Sequence, residues 1–228
     1  MPGAWEILKA RRERVCCCVI MPPELRHSRA WTRMWRGLDL GKDSGVFDIQ
    51  GLPYDAARNQ GLKWALDGQF GYLYFLDSDT LPPVDIVPKL IATGRDFIGG
   101  LYHQRGGAFL PVPGNLVKNE KGEWEKGGLP PHQPGEIIPV DFLGMGSTLI
   151  SRRCLQAVLD HFPRPFAWGK DIAPVPDEHG GHLPGVSEDY MFCIRAKALG
   201  FQPWCHTGMV CQHEMMVVVT DRGVQTVS

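Results

Sequence analysis

Asp77-Ser78-Asp79 sets two carboxylates one residue apart, directly after the apolar run Tyr72-Leu-Tyr-Phe-Leu76. A continuous apolar run rich in aromatics predicts a strand buried on both faces, as in the centre of a parallel sheet. The acids then lie at the carboxyl end of that strand, where open α/β sheets hold their ligands. Paired carboxylates are hard oxygen ligands for Mg²⁺ or Mn²⁺, so the chemistry implied is a metal-assisted phosphate site. The same residues also fit a strand followed by an Asx turn, with Pro82-Pro83 marking the bend. A second acidic pair, Glu188-Asp189, follows Ser187. Ser187 reads as a helix N-cap, with the two acids in the first turn, where the helix dipole favours them. A Gly/Pro-rich stretch from Pro163 to Gly185 precedes that pair and makes it a functional candidate. His213 follows Cys205, His206 and Cys211, but this spacing lacks the paired geometry of a structural zinc site.

The elements that must position these groups alternate. Val15–Met21 predicts a first strand, closed by Pro22-Pro23. Residues 26–38 predict a helix with Ala30, Met34 and Leu38 on one face beside Trp31 and Trp35. Val46–Gln50 is a second short strand. The stretch from Tyr54 to Leu66 is a helix burying Ala57, Leu62, Ala65 and Leu66 and feeding the Asp-Ser-Asp strand. Val84–Thr93 is helical despite Pro88, and Asp96–Tyr102 is a strand. Residues 104–135 are dense in Gly and Pro and too long for a mere connector. Beyond them, Ile137–Leu143 and Ser147–Ile150 read as strands, Arg152–Phe162 and Tyr190–Leu199 as helices, and Trp204–Val210 as a last strand. This alternation predicts an α/β domain with a largely parallel sheet.

The chain has 228 residues, 43% of them hydrophobic, enough for one large domain with a substantial core. With 24 Lys and Arg against 25 Asp and Glu, it has no global basic field to capture nucleic acid. The cluster at Arg11 to Arg14 is short and reads as a solvated helix end. No run approaches the length of a membrane helix and no signal-peptide core is present, so a cytoplasmic protein is expected. Seven cysteines, three consecutive at 16 to 18, do not form a disulfide pattern, because neighbours on a strand point to opposite faces. They read as small hydrophobes in a reducing compartment.

The order Arg58-Asn59, Asp77-Ser78-Asp79, Gly99-Gly100-Leu-Tyr102, Gly144-x-Gly146 before Arg152-Arg153, Glu188-Asp189, Gly200-Phe201 and His213 resembles the GT-A nucleotide-sugar glycosyltransferases. It is most like short, soluble family-2-like members, including those carried by bacteriophages. The resemblance spans residues 15 to 215. It implies a single GT-A-like (Rossmann-like) α/β domain with a mostly parallel central sheet, flanking helices and two long Gly/Pro-rich loops. Residues 15–102 would form the nucleotide-sugar half and 103–215 the acceptor half. It implies Mn²⁺ or Mg²⁺ held by Asp79 and His213, with Asp77 contacting the donor ribose or the metal shell. Arg58, with Asn59 beside it, would add positive charge near the donor diphosphate or shape the nucleotide pocket. Asp189, or secondarily Glu188, would be the general base of an inverting displacement on a nucleotide-sugar donor.

The acidic pair that many family-2 enzymes carry after the second strand is reduced here to Asp48. Trp124 and Trp168, in the two long loops, are candidates to stack on an acceptor. The acceptor itself stays open between a glycan or lipid carrier, a protein side chain and a hydroxylated base in phage DNA. Two other readings compete. A haloacid-dehalogenase-type phosphatase uses Asp-x-Asp-x-Thr, but Thr80 comes one position early. A noncatalytic sugar or nucleotide binder could share the fold, but would not need both Asp residues with Asp189 and His213.

Overall fold

The computed structural model describes residues 13–22, 27–105, 108–118, 120, 124–169, 186–220 and 223–227. Its centre is a seven-stranded sheet in the order β2-β1-β3-β9-β5-β10-β8. These strands are β1 (Val15–Met21), β2 (Gly45–Gln50), β3 (Tyr72–Asp77), β5 (Phe97–Leu101), β8 (Ile137–Pro139), β9 (Ser147–Ser151) and β10 (Trp204–Val210). Five run in one direction, as a mostly parallel sheet requires. β9 runs against both β3 and β5, and β8 runs against β10 at the edge. The short strands are β4 (Thr80–Leu81), β6 (Leu116–Lys118), β7 (Trp124–Lys126), β11 (Gln212–His213), β12 (Met216–Thr220) and β13 (Gly223–Val227).

The consecutive cysteines show how one strand serves two cores. Cys16, Cys18 and Ile20 of β1 join Leu73 and Phe75 of β3 in one cluster, while Val15, Cys17 and Val19 join Tyr74 and Leu76 in the other. All seven cysteines are buried and free, as small hydrophobes should be. Helices α2 (Tyr54–Asp67), α4 (Arg152–His161) and α5 (Glu188–Ala198) cover the first face through Leu62, Leu155 and Phe192. Helices α1 (Arg29–Gly37) and α3 (Ile86–Ala92) cover the second through Trp31, Met34 and Leu90. Fully burying a side chain such as Phe75 contributes about 1.5–3 kcal/mol, so the two faces hold the sheet firmly. α2 lies so close to β1 that a Cβ at Gly61 would stand 2.9 Å from Cys18 Sγ.

One expectation needs correction. The first helix begins at Arg29, not residue 26, because the Ser28 hydroxyl caps it by accepting from Trp31 N at 2.9 Å. Its buried stripe is therefore Trp31 and Met34, and Ala30 is exposed. Within the Gly/Pro-rich segment 104–135, β6 and β7 pair antiparallel, Leu116 opposite Lys126. Of the later Gly/Pro-rich segment, residues 170–185 lie outside the described residues, as do residues 1–12 with Arg11 and Arg12 of the basic cluster.

Candidate functional site

A cleft of about 300 Å³ opens at the carboxyl ends of β1 and β3, where sheet geometry predicts a ligand site. Each wall is delivered by a different element. β3 ends in Asp77, whose N–H donates to Gly146 O at 3.0 Å, and Ser78 N donates to Ile20 O at 3.1 Å. These bonds lock the Asp-Ser-Asp turn between β1 and the loop before β9. The two glycines of that loop are demanded by the floor of the cleft. A Cβ at Gly144 would stand 2.2 Å from the Tyr102 hydroxyl oxygen, and one at Gly146 3.2 Å from Asp77 Oδ2. Tyr102 Oη in turn accepts from Gly146 N at 3.0 Å.

His213 is far from Asp79 in sequence and beside it in space. β11 pairs antiparallel with β4, setting His213 opposite Thr80, and its Nε2 lies 3.4 Å from Asp79 Oδ1. The His213 Nδ1 lies 2.8 Å from the His103 carbonyl oxygen. A carbonyl can only accept, so Nδ1 carries the proton and Nε2 is the nitrogen presented to Asp79. Arg105 Nη1 takes the other Asp79 oxygen at 2.8 Å. Burial works to raise the Asp79 pKa, but the His213 hydrogen bond and charge, with Arg105, outweigh it and hold the carboxyl below its ordinary value.

Arg58 ties the two acidic motifs together. Only 3% of its side chain is exposed, and it donates from Nη2 to Asp77 Oδ1 at 3.2 Å and from Nε to Glu188 Oε1 at 3.2 Å. Burial opposes its charge, but Asp77, Glu188 and Asp189 more than restore it. Its charge is thus committed to protein carboxylates, and only the buried Nη1 has no hydrogen-bond partner among the described residues. Burial raises Asp77 against the pull of Arg58, with Asp79 adding to the rise. Glu188 is raised by burial and then by Asp189. Asp189 is also raised, chiefly by burial, although the Ser187 hydroxyl and the Tyr190 N–H both donate to its Oδ1. Ser187 caps α5, yet its hydroxyl turns to Asp189 rather than to the helix backbone.

Not every expected residue joins the cleft. Asn59 does not: its Nδ2 donates to Phe166 O at 2.7 Å and its Oδ1 accepts from Phe166 N at 3.0 Å, so its amide staples α2 to the chain after α4. Asp48 stays exposed on β2, paired in register with Val19 and outside the cleft wall. Trp168 lines the cleft, whereas the Trp124 side chain lies outside what is described. Tyr54 at the start of α2 and Arg105 escaped sequence reading, and Tyr102, just past β5, entered it only within the Gly99-Gly100-Leu-Tyr102 segment, with no role assigned. Tyr54 directly after Pro53 at a helix start was the one local signal available.

Four carboxylates line the cleft against two guanidinium groups, leaving it short of two positive charges when His213 is neutral. No three His, Cys, Asp or Glu side chains among the described residues gather closely enough to hold a metal ion alone. Asp79 and His213 do suit one as a pair. They offer one oxygen and one correctly oriented nitrogen, backed by the His103 carbonyl, in a site with surplus negative charge. A cation bound by so few protein groups completes its shell with ligand phosphates and water.

No family model and no curated protein matches this chain in sequence. Among solved structures it is similar to A197 from STIV, with a TM-score of 0.53 and 16% identity over 93% of this chain and 94% of that one. The fold is GT-A-like. The chain is also similar to GalNAc-T7, crystallised with UDP, GalNAc and Mn²⁺, with a TM-score of 0.46 and 12% identity over 88% of this chain and 44% of that one. A third likeness is to residues 1–349 of S. aureus TarS, with a TM-score of 0.43 and 14% identity over 87% and 60% of the two chains. No helix among the described residues is long and apolar enough to cross a membrane.

Proposed function

We propose that the chain is a metal-dependent glycosyltransferase that moves a sugar from a nucleoside diphosphate donor to an acceptor hydroxyl with inversion. The observation that carries this reading is the convergence of Asp79 and His213 with Asp77, Arg58, Glu188 and Asp189 in one cleft, from four separate places in the chain. Asp79 and His213 would hold Mn²⁺ or Mg²⁺. When bound, the cation supplies Lewis-acid stabilisation of the charge that gathers on the departing diphosphate. The nitrogen ligand favours Mn²⁺ over the harder Mg²⁺.

Asp189 serves as the base. Both donors to it land on Oδ1, leaving Oδ2 for the cleft, and burial raises its basicity. The acceptor oxygen bonds to the anomeric carbon as its proton passes to Asp189. The bond from that carbon to the diphosphate oxygen breaks, and the electron pair leaves with the nucleoside diphosphate. Glu188 suits this task less, because it is buried and bound to Arg58. Arg58 acts by fixing Asp77 and α5 in one geometry, and Tyr54 and Trp168 offer rings at the cleft rim for a base or a sugar.

The test is nucleoside diphosphate release from a panel of UDP-, GDP- and TDP-sugars with Mn²⁺, with EDTA, and with Asp79→Ala. Slow release from one donor that disappears in both controls is expected. Intact donors throughout, together with no thermal shift from Mn²⁺ or nucleotides, would overturn the proposal.

A further inference from the structure

Helix α1 presents a second, differently charged surface. It turns Trp31 and Met34 inward and leaves Arg29, Arg33 and Arg36 exposed at i, i+4 and i+7, on one stripe. With His27 and Thr32 these arginines line a shallow groove of about 380 Å³. Among the described residues, no carboxylate lines this groove and none of the three guanidinium groups has an ion pair. The stripe is unfavourable for the helix itself. Arg29 with Arg33 and Arg33 with Arg36 are like-charge neighbours, and Arg29 in the first turn opposes the helix dipole. The helix contains no acidic residue to offset them. Three like charges with no acid on their own helix leave this groove a surface that suits an external anion.

The groove adjoins the cleft. The Ser28 hydroxyl, at the head of α1, donates to Glu214 Oε1 at 2.6 Å, and Glu214 N donates to the Asp79 carbonyl at 2.7 Å. Trp31 Nε1 reaches the Asp77 carbonyl at 3.4 Å, and the His27 ring stacks on Trp31 with centroids 3.7 Å apart. We propose that this groove binds the phosphodiester backbone of single-stranded nucleic acid and delivers the strand to the cleft mouth. Seven residues of helix advance about 10 Å, and the three long arginine side chains along that length can each reach one phosphate of a single strand. A cationic track with the half-buried His27 ring at its head supplies the electrostatic part of single-strand binding. A bilayer fits less well, because an interfacial helix needs an apolar face toward the lipid and that of α1 is spent on the sheet. A duplex would need a wider basic field than a chain with 24 basic and 25 acidic residues supplies. The binding stands apart from the transfer chemistry, and only an acceptor role for the bound strand rests on the glycosyltransferase reading.

The test is fluorescence anisotropy of a labelled oligothymidylate with the full chain between 25 and 200 mM NaCl. Three phosphate contacts predict a slope of log affinity against log salt of about −2, at about −0.7 per contact on a single strand. Arg33→Ala should flatten that slope by about 0.7 and weaken binding about eightfold at 50 mM salt, the counterion-release share of one contact. Arg29→Glu should weaken binding at least as much and yet raise the melting temperature, since it removes a like-charge pair and suits the helix dipole. A purely structural stripe cannot produce those opposite changes. Donor hydrolysis should be unchanged in both variants, whose substituted arginines lie outside the cleft wall. A slope near zero, an affinity indifferent to Arg33→Ala, or binding only to phosphatidylglycerol vesicles would overturn the proposal. Oligonucleotide binding with this slope in a protein that hydrolyses no donor would uphold it while removing the transfer reading.

Discussion

Arg58→Met removes the one cation shared by the buried Glu188 and the half-buried Asp77 while keeping most of the side-chain volume. Only 3% of the Arg58 side chain and 6% of the Glu188 side chain are exposed, against 24% for Asp77. Stranding one partner of a buried pair costs about 3–5 kcal/mol. Glu188 should account for most of that, because water can still reach Asp77. At about 2–4 °C per kcal/mol for a chain of this size, the melting temperature should fall by roughly 6–20 °C at neutral pH. Thermal unfolding followed by tryptophan fluorescence would measure it. The sign with pH is fixed by linkage. Asp77 and Glu188 are already raised above their ordinary values, so each contributes stability that is fully present below its unfolded pKa, about 4, and is lost as pH rises through the folded value. Without Arg58 those folded values climb further, so the deficit of the variant should shrink as pH falls toward 4. Adding Glu188→Gln to Arg58→Met should recover a large part of the loss. If it recovers nothing, the loss came from packing, such as the guanidinium over the Phe75 ring at 5.2 Å, and the stranded-charge argument is refuted.

Asp189→Asn should lower turnover by about 10²–10⁴ while donor affinity holds, measured as kcat against KM with the donor identified by hydrolysis. Gly144→Ala should destabilise the fold by about 1–3 kcal/mol in urea unfolding, because its Cβ would press on the Tyr102 hydroxyl, and Tyr102→Phe should relieve part of that clash. His213 is raised above its ordinary value by Asp79 and the His103 carbonyl, against the effect of burial. Its pairing with Asp79 is therefore fully present below about pH 6.5 and lost as pH rises through the folded value, and Mn²⁺ affinity should rise over that same window in calorimetric titrations.

The chain's pattern made the architecture legible because each strand carried its burial openly. Val15–Met21 and Tyr72–Leu76 are apolar on both faces, and only a covered central strand needs that. The antiparallel course of β9 was not readable, since Ser147–Ser151 has the same composition whichever way it points. At the site, Asp77, Asp79, Glu188 and Asp189 stood out as acids at element ends. The partnership of Asp79 with His213 depends on the β4–β11 pairing, two residues on each side, too short to leave a periodic signal. Asn59 misled for the opposite reason. Next to Arg58 in a helix it reads as a functional neighbour, but one step along a helix turns a side chain about 100° away, here onto Phe166.

The two unusual surfaces share an energetic logic. Buried ion pairs such as Arg58 with Glu188 are often matched or bettered by apolar residues of the same volume, so stability alone gives little reason to keep them. The same holds for an arginine at the head of a helix whose next two arginines repel it. Elsewhere the cysteines are buried core residues, and Asp96 pairs with Arg153 and Asp85 with Lys89. The Ser28–Glu214–Asp79 hydrogen-bond chain connects the cleft to α1. One surface has negative charge in excess and the other positive, at neighbouring places. A ligand that brings a cation to the first and phosphates to the second would relieve both at once.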